Sequence, residues 1–193
     1  MPADPYRRLR AAVRAAAPGL ARDLPWVGAD PWPVLVSEVM LQQTPAARVA
    51  EPWARFLELF PTPRALAEAP LAGALVAWTG LGYPRRARDL RAAAAIIVAR
   101  HGGEVPSDPA ALRALPGVGA YTAAAVAVFA FGARVTPIDT NVGRVLARAA
   151  ANRRLGARDA AEVAARLLPR DGAPSFAQAL IDLGARHCRS APR

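Results

Sequence analysis

The 193-residue chain contains no lysine, so its 25 basic residues are all arginine; with 15 aspartates and glutamates the net charge is +10. A lysine amine is therefore unavailable as an imine-forming nucleophile. There is one cysteine, Cys188. That excludes a disulfide framework, or a complete cysteine metal cluster, within this sequence. It also fits a cytoplasmic compartment. The two histidines, His101 and His187, lack zinc-like spacing and read as surface residues. No apolar run reaches the roughly 18–20 residues that cross a bilayer, so no membrane association is expected. Met1 to Arg10 carries three arginines and no apolar run, which argues against a secretory leader. Strand signals are scarce as well.

What remains is rich in alanine, leucine and arginine, punctuated by 19 prolines and 14 glycines. A hydrophobic content of 53% suffices for a real core. The pattern predicts an all-α protein. Helices are expected over Asp4–Ala16, Val34–Leu41, Ala46–Phe60, Thr62–Ala69, Leu71–Trp78 and Arg85–His101. Further helices are expected over Asp108–Ala114, Tyr121–Phe131, Thr140–Ala150, Asp159–Leu168 and Ser175–Cys188. The arginine excess favours bidentate contact with phosphate, although a merely solvated basic surface has the same composition.

Leu115-Pro116-Gly117-Val118-Gly119-Ala120-Tyr121-Thr122 reads as a tight hairpin between two helices. Gly117 and Gly119 permit positive φ and close backbone approach. The helix that follows presents free N–H groups and the positive end of its dipole, a fitting place for a DNA phosphate. An ordinary corner between helices shares this pattern.

Glu38 sits in Ser37-Glu38-Val39-Met40-Leu41-Gln42-Gln43-Thr44. On a helix it shares a face with Val34, Leu35, Leu41 and Gln42, where lost solvation would raise its pKa and suit it to general-acid work. A helix-surface glutamate is the alternative. Gln42 and Gln43 could bond to bases, fill a gap in a duplex, or cap the turn. Asp139 precedes a helix and reads as an N-cap, a role that also keeps a carboxylate ionised. Tyr121 could be a core aromatic. Trp78 and Tyr83 frame the Gly80–Gly82 turn or pack beside it. Arg85, Arg86 and Arg88 could touch phosphates or lie on a solvated helix end.

Together these segments, with Trp78-Thr79-Gly80-Leu81-Gly82-Tyr83 and Asp139 through Arg148, resemble the endonuclease III superfamily of DNA glycosylases. Pro25-Trp26 and Ala179 through Ala185 fit too, so the likeness runs over about residues 20 to 188. The glutamate-led Gln-Gln-Thr segment is most similar to the adenine-removing, MutY-type branch. The resemblance implies two helical lobes flanking a DNA-binding cleft: residues 27–135 as a six-helix lobe with the hairpin, and residues 1–26 with 136–193 as the second. It implies that a target adenine is flipped out of the duplex. Glu38 would protonate the adenine ring. Asp139 would stabilise an oxocarbenium-like sugar, with Tyr121 and Asn141 assisting. DNA contacts are implied for Gln42, Gln43, Gly82, Tyr83, Arg86, Gly117, Val118, Gly119 and Thr122.

Bifunctional relatives carry a lysine at the position of Tyr121, so the resemblance implies a monofunctional glycosylase here. The implied partner is double-stranded DNA with a mismatched or oxidised base pair, adenine opposite 8-oxoguanine or guanine. The protein is expected to be monomeric and cytoplasmic, and nucleoid-associated in a bacterium. A thymine or uracil mismatch glycosylase and a non-catalytic DNA-binding module are the rival readings. The chain departs from the family at Pro84, where relatives carry an aromatic. It departs again at Cys188, which matches only the first of four cysteine ligands of a 4Fe–4S cluster. No cofactor is expected within this chain, and a cluster would require sequence past Arg193. The domain that reads the opposite base is not in this sequence, so the chain is either part of a longer protein or a short clusterless form.

Overall fold

A computed structural model describes residues 4–188, and those residues are helical with no strand among them. The helices are α1 (Arg7–Leu20), α2 (Pro31–Met40), α3 (Ala50–Leu59), α4 (Pro63–Glu68), α5 (Leu71–Ala77), α6 (Arg85–His101), α7 (Pro109–Arg113), α8 (Ala120–Phe131), α9 (Thr140–Val145), α10 (Ala157–Leu167) and α11 (Ala173–His187). Among the described residues no helix is long and apolar enough to cross a membrane.

The chain divides into two compact units, one continuous (Leu24–Phe131) and one split (Met1–Asp23 with Gly132–Arg193). The sequence reading placed these boundaries three or four residues later. Trp26 explains the first shift: it is buried and stacks edge-on against Trp53, 5.9 Å between ring centres, within the continuous unit. Arg134 explains the second. Its guanidinium donates to the carbonyls of Leu168 (2.9 Å) and Pro169 (3.2 Å), which ties residues beyond Phe131 to the split unit.

In the continuous unit, α2 packs along α8. Both helices are apolar nearly all round, and eight of the ten residues of α2 are buried, as a helix at the centre of a core requires. Helices α4 and α5 cover α6, whose buried face runs through Leu90, Ala94 and Ile97. In the split unit, α1 packs on α11, and α11 on α9. Val13, Phe176 and Leu180 are buried in that unit. Asp182, 3% exposed, is neutralised there by Arg22 at 2.7 Å and accepts from Gln178 at 3.1 Å.

Helix α2 starts at Pro31, three residues before expectation, and three further helices differ. Helix α1 starts later and runs through Pro18 to Leu20. Proline forfeits one helical bond, but burial of Leu20 and continued bonding at Ala21 carry the helix past it. The expected helix over 46–60 is a 3₁₀ turn (Ala46–Arg48) followed by α3. Restarting after Val49 puts Pro52 in the first turn, where its missing N–H costs nothing. Beyond α9, Leu146–Ala150 widens into a π-helical turn.

Candidate active site and nucleic-acid interface

The hairpin starts from α7, whose N-cap Asp108 accepts the Ala111 N–H at 2.8 Å. Leu115 and Val118 are buried and anchor the turn, and the Val118 N–H donates to the Leu115 carbonyl at 3.1 Å. Gly117 has φ +74°, and a β-carbon there would meet the Asp89 β-carbon at 3.0 Å. Only glycine suits both conditions. Gly119 is not in the left-handed region and faces open space, so the expectation of two conformationally required glycines holds for Gly117 alone. Gly117, Gly119 and Ala120 are exposed at the start of α8. The first bond into that helix runs from Ala123 to Gly119, which leaves the N–H groups of residues 120–122 outside the helical ladder.

Glu38 lies on α2, 6% exposed. Burial pushes its carboxyl up from the ordinary carboxylate range to about 7. One turn on, the Gln42 amide donates to the Gly117 carbonyl (3.0 Å) and to the Thr122 hydroxyl (3.2 Å). The glutamate-led segment and the hairpin are thus joined, although 75 residues separate Gln42 from Gly117.

Arg86 holds a second junction. It is 8% exposed and donates to the carbonyls of Val39, Met40, Gln42, Leu81 and Gly82 and to the Thr44 hydroxyl. Its guanidinium also lies 5.5 Å from the Trp78 ring centre and 5.4 Å from that of Tyr83. The turn after α2 is thereby clamped to the Gly80–Tyr83 turn, and Arg48 adds a bond to the Gly80 carbonyl at 2.9 Å. Two exposed side chains result, one on each turn. Gln43 (φ +59°) and Tyr83 (φ +48°, 57% exposed) both adopt the left-handed conformation, which is costly for non-glycine residues and common at binding sites. Gly82, at φ +70°, precedes Tyr83.

In the split unit, Asp139 caps α9. Its Oδ1 accepts the Val142 N–H at 2.7 Å and its Oδ2 accepts from Asn141 Nδ2 at 3.1 Å. The Asn141 oxygen in turn accepts from Arg144 at 3.1 Å, and Arg144 also donates to the Cys188 carbonyl at 3.3 Å. Gly184 makes this close approach possible: a β-carbon there would lie 2.7 Å from the Asn141 backbone.

The continuous unit therefore carries Glu38, Gln42, Gln43, Gly82, Tyr83, Gly117, Gly119 and the half-buried Tyr121, and the split unit carries Asp139 and Asn141. Three of the residues expected at DNA have partners within the protein. Arg86 is a buried clamp. The Thr122 side chain is 3% exposed and spent on Gln42. Val118 turns its side chain inward and its N–H to Leu115. The burial of Arg86 was readable from helical spacing, because it stands four residues before Leu90 on the face of Ala94 and Ile97. The roles of Asp89 and Gly184 had no local signal. Among the described residues no three histidines, cysteines or carboxylates converge as metal ligands. Cys188 alone does not fit a four-cysteine cluster.

The profile of the HhH-GPD superfamily of base excision DNA repair proteins matches residues 36–170. The adenine DNA glycosylase of Mycobacterium tuberculosis (strain ATCC 25618 / H37Rv) is 52% identical over 174 residues, covering 86% of this chain and 57% of that protein. The human adenine DNA glycosylase is 37% identical over 187 residues, covering 86% and 33%. The chain thus spans little more than half the length of the mycobacterial relative. Among solved structures, a thermostable thymine-DNA glycosylase superposes with a TM-score of 0.89 at 27% identity, covering 96% of this chain and 88% of that one. A trapped endonuclease III–DNA covalent intermediate superposes with a TM-score of 0.84 at 27% identity, covering 97% and 88%. With its helix–hairpin–helix, the glutamate-bearing helix bonded to it, and these likenesses, the chain belongs to the HhH-GPD superfamily of base excision DNA repair proteins.

Proposed function

We propose that the chain is a monofunctional adenine DNA glycosylase acting on adenine opposite 8-oxoguanine or guanine in duplex DNA. The observation that carries this reading is the burial of Glu38 on the helix tied to the hairpin through Gln42. A carboxyl with a pKa of about 7 holds a proton at neutral pH and can give it to a base nitrogen. The proton moves from Glu38 to the adenine ring, the N-glycosidic bond breaks, and its electron pair leaves with the base. Asp139, kept as an acceptor by its cap bonds, stabilises the positive charge that develops on the sugar. Water adds to the anomeric carbon and loses a proton, leaving an abasic site. Asn141 orients the Asp139 carboxylate, and Tyr121 assists from the start of α8. Exposed backbone at Gly117 and Gly119 holds a DNA phosphate, and Gln43 and Tyr83 meet the duplex.

Identity to adenine DNA glycosylases supports the choice of base. The likeness to a thymine-DNA glycosylase favours a second reading, removal of thymine opposite guanine. Duplexes carrying adenine opposite 8-oxoguanine, adenine opposite guanine, and thymine opposite guanine separate the two when treated with alkali after incubation. Adenine release that needs alkali for strand scission supports the first reading. Release of thymine alone replaces it with the second.

A further inference from the structure

The net charge is divided very unevenly. The split unit holds sixteen arginines against seven carboxylates, a net +9, whereas the continuous unit, which carries the hairpin, holds nine against eight. Within the split unit a surface cavity of about 590 Å³ opens along α9 and the loop that follows it. Arg144, Arg148, Arg153 and Arg154 line it together with Asn152 and Gly143, and no carboxylate does. Two other arginine-lined cavities of the unit differ on that point: one includes Asp4 and Asp171, the other Asp159 and Glu162.

Arg144 and Arg153 are held in place from behind. Arg144 is fixed by Asn141 and the Cys188 carbonyl, and Arg153 by Asp159 at 2.8 Å and the Arg154 carbonyl at 3.3 Å. Asn152 turns the loop through a left-handed conformation at φ +50° and is exposed. Fixed, forked, positively charged donors around an open cavity match the planar geometry of phosphate oxygens. The cavity also runs along the helix that Asp139 caps. At 1.5 Å per residue, Arg148 stands on the order of 14 Å along the axis from Asp139, a few nucleotides of a DNA strand.

We propose that the Arg144–Arg148–Arg153–Arg154 cavity is a second DNA-backbone site, which binds phosphates of the strand flanking the nucleotide on which Asp139 acts. This inference rests on the glycosylase reading for its partner and extends it to a surface remote in sequence from the hairpin.

The test is duplex binding by fluorescence anisotropy at several salt concentrations, with the full chain and three variants. Each lost phosphate contact lowers the slope of log K against log salt by about 0.9. Arg148→Gln with Arg154→Gln is expected to lower it by about 1.8 and to weaken binding to matched and mismatched duplexes alike. Arg154→Gln alone is expected to lower it by about half that, and serves if the pair fails to fold. Arg55→Gln with Arg158→Gln removes the same charge at exposed ion pairs outside the cavity and is expected to change the slope much less. An unchanged slope in a folded cavity variant overturns the proposal, as does an equal effect of the control pair. Base release by the unaltered chain is read separately, so failure of the catalytic reading stays distinguishable from failure of this one.

Discussion

The Gln42 side chain donates to the Gly117 carbonyl at 3.0 Å, joining the turn after α2 to the tip of the hairpin. The same amide reaches Thr122 in the first turn of α8. The acid-bearing segment and the exposed backbone of the hairpin thus share one hydrogen-bonded junction. Gln42→Leu removes the donor and leaves both acceptors unpaired. It is expected to cost about 0.5–1.5 kcal/mol in stability and to weaken duplex binding, as read by thermal melting and anisotropy.

Glu38→Gln keeps the shape of the side chain and removes its proton. Adenine release in single turnover is expected to fall about 10²–10⁴-fold, with duplex binding retained. In the unaltered chain the acid form is present below pH 7 and is lost as pH rises through about 7, so release should decline on the alkaline side. Stability follows the same sign. A folded-state pKa raised from 4.5 means that the stability present below pH 4.5 is lost as pH climbs to about 7. Glu38→Gln should therefore melt higher than the unaltered chain at pH 8, which a pH series of melting curves checks.

Asp139→Asn separates a structural role from a chemical one. Asparagine caps a helix about as well as aspartate, so the melting temperature should hold. The anion is gone, however, and base release should fall about 10²–10³-fold. Asp139→Ala should lose both, with about 1 kcal/mol of stability. Equal release by the asparagine variant and the unaltered chain would remove Asp139 from the mechanism.

Arg86→Ala strips the guanidinium from five carbonyls and the Thr44 hydroxyl. A loss of at least about 1.5–3 kcal/mol is expected, because hydrogen bonds from a charged donor are lost, seen as a lower denaturation midpoint. A phosphate contact would instead lower the salt slope of binding, so an unchanged slope together with lost stability would support the clamp role.

Gly184→Ala places a methyl group 2.7 Å from the Asn141 backbone. Helix α11 must withdraw from α9, at a cost of about 1–3 kcal/mol. Because Asn141 bonds to Asp139, base release should fall by more than the unfolded fraction explains. Activity measured on folded protein at low temperature is the check.

Much of this was legible before any coordinates. The bounds of α6, the cap at Asp139 and the hairpin between α7 and α8 are local, set by spacing, proline and short polar side chains. Arg86 shows where a local reading stopped short. Helical spacing puts it on the buried face of α6, but the arginine run left a phosphate contact and a solvated helix end both open, and only the packing of two distant turns around it made it a clamp. The bond between Thr122 and Gln42 was hidden for a similar reason, since 80 residues separate them.

The sequence by itself determined what chemistry is absent and which residue types are in reach. Without lysine there is no lysine imine within these residues, with one cysteine no four-cysteine cluster within them, and Glu38 and Asp139 stand in their segments whatever the packing. Tertiary structure alone decided the state of those groups. Glu38 holds a proton near neutrality because α2 is buried against α8, and desolvation is a property of surroundings, not of neighbours in the chain. Gly184 matters because two helix backbones meet there, and the arginine cavity exists because α9 and the loop after it bring separate cations to one opening.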